Sequence, residues 1–167
     1  MGEYRYMLHR CVHDGNACPP LSRRVLWVML NPSTADDTTD DATIRKVKGF
    51  TKRWGFDELA VVNLFALRAT DPALLWHSLL NGDDVIGARN DAVIAEEARK
   101  ASMIVCAWGS LQGTPGLPRA KDVERLLWKH RQPMTVLHML RACRDGNPGH
   151  PLYVSYNIVA LPWVGHG

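Results

Sequence analysis

Val25-Leu26-Trp27-Val28-Met29-Leu30-Asn31-Pro32-Ser33-Thr34 sets six apolar residues in a row ahead of four turn formers. A strand wetted on one face alternates apolar and polar residues. An unbroken apolar run of this length reads instead as a strand covered on both faces, as in a parallel sheet with helices above and below it. Pro32 has no N–H to give to a ladder, so the strand is predicted to stop at Asn31 and to hand Asn31, Ser33 and Thr34 to the loop beyond its end.

The same signal recurs along the chain. Leu59 to Phe65, Met103 to Ala107 and Met134 to Leu140 are apolar runs, and the second of them is broken by Trp108-Gly109. Helical periodicity fills the intervals. Thr43 to Trp54 carries Ile44, Val47, Phe50 and Trp54 on one side and Arg45, Lys46, Lys48, Lys52 and Arg53 on the other, with Gly55 ending it. Asp71-Pro72 opens a helix in the favoured order, cap then proline. Arg89 to Lys100 reads as a helix capped by Asn90 or Gly87, and Ala120 to Lys129 as another. Tyr4 to Val12 alternates like an edge strand, and Leu152 to Tyr156 reads as a short last strand. Strands alternating with helices predict an α/β fold, a parallel sheet with helices on both faces. No linker divides the chain, so residues 1–167 are read as one domain.

Composition narrows the classes. Hydrophobic residues make up 46% and charged residues 22% of 167, which excludes a disordered chain. A net charge of +3 suits a polyanionic partner without demanding one. No apolar run reaches the roughly 20 residues of a membrane helix, and Met1 to Arg10 is too polar for a signal peptide. The expectation is a cytoplasmic protein, a monomer, with Cys11, Cys18, Cys106 and Cys143 as free thiols.

In parallel sheets ligands bind beyond the carboxyl ends of the strands. That directs attention to Asn31 to Thr34, Asn63 to Arg68, Trp108 to Ser110 and the turn that ends in His150. Asn31 offers a donor pair and an acceptor. Asn63 interrupts an apolar run, where an amide without a partner costs about 1–3 kcal/mol, so it asks for a ligand or a local cap. The Trp108 indole can stack on a flat ligand, although a core plug under a tight turn is the plainer expectation. His150-Pro151 follows a Gly-Asn-Pro-Gly turn, and a neutral imidazole there can donate to an oxygen gaining negative charge. Arg45 and Arg68 are candidates to hold phosphate.

Metal is not expected. His9, Cys11, His13 and Cys18 match no familiar zinc spacing, and there is no second Cys pair. Asp36, Asp37, Asp40 and Asp41 suit a hard cation or a helix cap, and the cap is preferred. No phosphate-binding glycine loop and no serine-hydrolase elbow is present. No cofactor is expected.

Taken together, Met29-Leu30-Asn31-Pro32-Ser33, then Val62-Asn63-Leu64 with Arg68, then Trp108-Gly109, then Gly149-His150-Pro151-Leu152, resemble the strand-end motifs of the uracil-DNA glycosylase superfamily. More closely, Met29 to Asp36, Thr43-Ile44-Arg45, Val62 to Ala66, Trp108-Gly109 and His150 to Tyr153 resemble the bacterial and phage family of unknown function DUF1643. The glycosylase resemblance implies a three-layer α/β/α fold with a short, mostly parallel sheet. It also implies hydrolysis of the N-glycosidic bond of a nucleobase, with Asn31 positioning water, Asn63 reading the base edge and His150 bonding the departing base oxygen. Ser33, Thr34, Thr43, Arg45, Arg68, Trp108, Pro151 and Tyr153 complete the expected substrate-binding set. The chain departs from that superfamily at Ala42 to Arg45, where an aromatic usually stacks on the base, and at Leu152, where a Ser usually follows His-Pro. The implied partner is DNA. The alternatives are a non-catalytic reader of a nucleotide or modified base, and an enzyme acting on free nucleosides or nucleotides.

Overall fold

A computed structural model describes residues 4–13, 17–33 and 39–166. The strands are β1 (Leu8–Cys11), β2 (Arg24–Met29), β3 (Glu58–Asn63), β4 (Met103–Cys106), β5 (Leu137–Met139) and β6 (Leu161–Pro162). The helices are α1 (Ala42–Arg53), α2 (Pro72–Leu80), α3 (Asn90–Lys100) and α4 (Leu117–His130), and a 3-10 turn covers Pro151–Tyr153.

The six strands form one sheet in the order β1-β3-β2-β4-β5-β6. The inner four run parallel, and β1 and β6 close the edges antiparallel. In β2 alternate residues serve opposite faces, as strand geometry requires. Leu26 and Val28 join Val62, Ile104, Ile94, Val123 and Leu127 in the core under α3 and α4. Val25, Trp27 and Met29 join Val61, Ile44, Val47 and Phe50 in the core under α1. Two cores, one per face, explain why β2 carries no polar residue after Arg24. The mixed α/β sheet is therefore mostly parallel and covered on both sides.

Crossovers fix where a ligand would go. The β2-α1-β3 and β4-α4-β5 connections step away from each other across the sheet. Right-handed crossovers in opposite directions must put their helices on opposite faces, and α1 and α4 lie that way. The divergence opens a crevice at the carboxyl ends of β2 and β4.

Local chemistry explains the helix ends. Asp41 caps α1 by accepting from the Ile44 N–H at 2.8 Å. Beyond the last turn Gly55 takes φ +76°, a left-handed turn that favours glycine. Asp71 caps α2 onto Ala73 at 2.8 Å, with Pro72 in its first turn.

Three expectations are corrected. Asn90 does not cap α3: Arg89 holds that position without a side-chain bond, and Gly87 lies farther upstream. Instead Asn90 is fully buried and donates to the carbonyl oxygens of Asn63 and Leu64 at 3.0 and 3.1 Å. Residues 152–156 form no strand; the His150 side chain accepts from Leu152 N–H and starts the 3-10 turn in their place. The last strand is Leu161–Pro162. Cys11 and Cys18 are joined in a disulfide rather than free, while Cys106 and Cys143 are free. No helix among the described residues is long and apolar enough to cross a membrane.

Candidate functional site

The crevice is a cavity of about 360 Å³. Asn31, Ser33, Thr43, Asn63, Trp108 and His150 all line it. The fold brings them together by simple means. Met29 and Asn63 are register partners at the parallel ends of β2 and β3. Trp108 follows β4 by two residues, Thr43 sits in the first turn of α1, and His150 arrives on the turn after β5.

Asn63 is 3% exposed and its side-chain amide has no hydrogen-bond partner among the described residues. The amide lines the cavity, where it is free to bond a ligand or water. Its main chain is held firmly. Asn90 takes the Asn63 and Leu64 carbonyls, and the Arg119 Nε donates to the Leu64 carbonyl at 2.8 Å.

Asn31 is oriented differently. Its Nδ2 donates to the Ala69 carbonyl at 2.7 Å and to the Pro32 carbonyl at 3.1 Å. Both amide hydrogens are spent on the backbone, and Oδ1 is left as the acceptor.

His150 is fixed in one tautomer by its own loop. Nδ1 accepts the Leu152 N–H at 3.2 Å, so in the neutral ring the proton sits on Nε2, which becomes a donor. Burial pulls its pKa below the usual histidine value, against the opposing charge of Asp41, and keeps the ring neutral near pH 7.

The turn carrying His150 is docked on the end of β4. Gly109 N–H donates to the Pro148 carbonyl at 2.8 Å, and the Trp108 indole donates to Asn147 Oδ1 at 3.0 Å. Asp145 accepts from Ser110 Oγ at 2.9 Å, Leu111 N–H at 2.8 Å and the Asn147 amide at 2.9 Å. Burial alone would raise the Asp145 pKa; these donors outweigh it and bring it to about 2. Gly149 is required by close approach, since a Cβ there would meet Arg141 Cγ at 2.7 Å. Trp108 is thus a core plug, 2% exposed, that also presents an edge to the cavity.

Other expected positions lie elsewhere. Arg45 is exposed on α1 and donates to the Asp40 carbonyl at 2.6 Å. Arg68 does not line the cavity but borders an adjoining recess that shares Ser33, Ala69 and Thr70 with it. Pro151 is buried in the 3-10 turn, Tyr153 is exposed, and neither lines the cavity. Thr34, Asp36 and Asp37 fall outside the described residues.

The cavity also holds residues that no strand-end motif announced. Asp41 is in its wall, with one oxygen on Ile44 N–H and the other accepting from Ser33 Oγ. Arg5 brings a cation from the segment before β1, and Trp76 an aromatic face from α2. Asp41 was legible as a cap but not as a cavity wall, and Arg5 and Trp76 carry no local signal. Among the described residues, the cluster with metal-ligand chemistry lies outside the cavity, at His9, Cys11, Cys18 and Glu58.

A family model described as a protein of unknown function, DUF1643, matches residues 5–152. Neither a curated protein nor a solved structure matches the chain.

Proposed function

The chain belongs to the DUF1643 family, and we propose that it is a glycosylase-like hydrolase cleaving the N-glycosidic bond of a nucleobase, a modified one included, in DNA. The observation that carries this reading is the amide of Asn63, a residue 3% exposed, which lines the cavity without a hydrogen bond to the described residues. An amide pairs donor to acceptor and acceptor to donor with the edge of a base. A cavity of about 360 Å³ falls in the range of small-molecule sites and admits a base with part of its sugar.

The remaining groups supply what the reaction needs. Water attacks the sugar carbon, the C–N bond breaks with its pair leaving on the base, and the proton that the water gives up passes to the base anion or to solvent. The Nε2–H of His150 stabilises the oxygen on which that charge collects. The Oδ1 of Asn31, locked by Ala69 and Pro32, orients the water as acceptor; an amide is no base, so its contribution is position alone. Arg5, in the cavity wall, offers a phosphate contact.

One observation favours a second reading. Both oxygens of Asp41, the carboxylate in the wall, already accept hydrogen bonds. With that carboxylate committed, the same pocket serves a non-catalytic reader of a nucleotide or modified base. Single-turnover release of free base separates the two. The substrates are oligonucleotides carrying uracil, hydroxymethylated pyrimidines or deaminated purines. Tight binding without release identifies the reader. Affinity that falls with salt at a log–log slope near −0.9 per duplex phosphate contact supports DNA, and a salt-independent affinity supports a free nucleotide.

A further inference from the structure

We propose that the dithiol form of this protein binds one zinc-class divalent cation through His9, Cys11, Cys18 and Glu58. The geometry is set by the edge of the sheet, in a recess with its own lining residues. His9 and Cys11 are two apart on β1 and therefore share a face. Cys11 is the antiparallel register partner of Glu58 on β3, which puts the carboxylate on that same face. Cys18 returns from the loop after β1 to meet them, with Cα atoms of the two cysteines 5.5 Å apart.

One ligand atom from each of the four residues lies within 4.8 Å of the others. His9 Nε2 is 2.7 Å from Glu58 Oε2 and 4.0 Å from Cys18 Sγ. Zinc bonds of about 2.0–2.3 Å to N, O and S imply ligand separations near 3.3–3.8 Å around a tetrahedron. Rotamer adjustments of an ångström or so therefore suffice. Two sulfurs, one imidazole and one carboxylate favour zinc over calcium or magnesium, which want oxygen shells. The outer partner is present too: Arg24 Nε donates to Glu58 Oε1 at 2.9 Å, leaving Oε2 on His9 Nε2. Arg24, Lys48 and Lys100 line the same recess, where they pair with Glu97 and Asp40.

The chemistry balances. A dithiol reductant gives two electrons and two protons to the Cys11–Cys18 disulfide and becomes a disulfide itself. The cation then displaces the two thiol protons to solvent, and the neutral His9 ring binds through Nε2 with its own proton on Nδ1. The disulfide and the metal are thus alternative clasps for one edge strand and its following loop.

The test uses full-length protein reduced with a phosphine that does not bind metal. Zinc titrated against a chromophoric chelator should bind at one per chain. Cobalt in its place should give a thiolate charge-transfer band and the strong visible bands of a tetrahedral site. Cys18→Ser, which lies on the loop and spares the sheet, should lose at least tenfold in affinity and weaken the charge-transfer band. His9→Ala should lose affinity while keeping that band for any cobalt that binds. Reduced wild type that stays folded by circular dichroism and takes up neither metal overturns the proposal. So does uptake undiminished in Cys18→Ser and in Cys11→Ser, which would locate the metal elsewhere.

Discussion

Asn90 Nδ2 donates to the main-chain oxygen of Asn63 at 3.0 Å and to that of Leu64 at 3.1 Å, so a fully buried amide on α3 sets the end of β3. Past its last ladder bond a strand end leaves carbonyls that must find donors. Here one side chain answers two of them. Asn90→Leu removes both donors and leaves two carbonyls with less. Urea unfolding should show a loss of about 1–3 kcal/mol, with ligand affinity falling as Asn63 loses its support. Unchanged stability would mean that Arg119 alone holds the strand end.

Asn63 itself should behave in the opposite way. Its side chain has no hydrogen-bond partner among the described residues, so folding gains nothing from its polarity. Asn63→Leu, which keeps the branched shape with bulkier ends that the cavity can take, should leave stability unchanged or raise it by about 1 kcal/mol while removing base binding. Thermal unfolding measured beside nucleobase affinity checks this. A large loss of stability would show the amide to be structural.

These residues mark where sequence patterning reaches and where it stops. β2 and β3 were readable because a doubly covered strand must be apolar throughout, and α2 because Asp71-Pro72 is a local start signal. The strand-end positions of Asn31, Asn63, Trp108 and His150 follow from the same runs. Asn90 has the sequence signature of a cap, an Asn just ahead of an apolar helix, and only the tertiary contact with β3 turns it inward. Residues 152–156 carry strand-like apolar residues, yet the bond from Leu152 N–H to His150 draws Leu152 and Tyr153 into the 3-10 turn Pro151–Tyr153. His9 and Glu58 are 49 residues apart, and their meeting depends on the β1–β3 register, which no local spacing encodes. Arg5 and Trp76 escaped notice for the same reason.

The Asp145 network predicts a pH effect on the turn that carries His150. The folded carboxyl, at about 2, is depressed from 3.8. Its contribution is present above about pH 4 and is lost as pH falls toward 2, when protonation removes the acceptor for Ser110, Leu111 and Asn147. Asp145→Ala should abolish that portion of the acid sensitivity and loosen the turn. Hydrogen exchange at Leu111 and Asn147 reports it, and identical exchange in wild type and variant at pH 7 would dismiss the network as incidental.

His150 joins pH and catalysis. Burial lowers its folded pKa below 6.5, so its share of stability is present above that value and is lost as pH falls through the lower folded value. Protonation at Nδ1 also removes the acceptor for Leu152 N–H. Base release should therefore fall on the acid side together with local stability, and His150→Gln, whose amide keeps a donor, should flatten that limb. His150→Ala should slow release by about 10²–10³, the usual consequence of losing one donor to developing charge. Ground-state affinity should change little, because the donor acts mainly on charge that appears as the base departs. Asn31→Ala should likewise cost rate more than binding, since the Asn31 oxygen only orients water. Asn63→Leu should cost binding and base preference together. Single-turnover release and equilibrium binding on the same oligonucleotides give the split for all three variants. If wild type binds a base tightly but releases none, and all three variants lose only affinity, the pocket reads bases and does not cut.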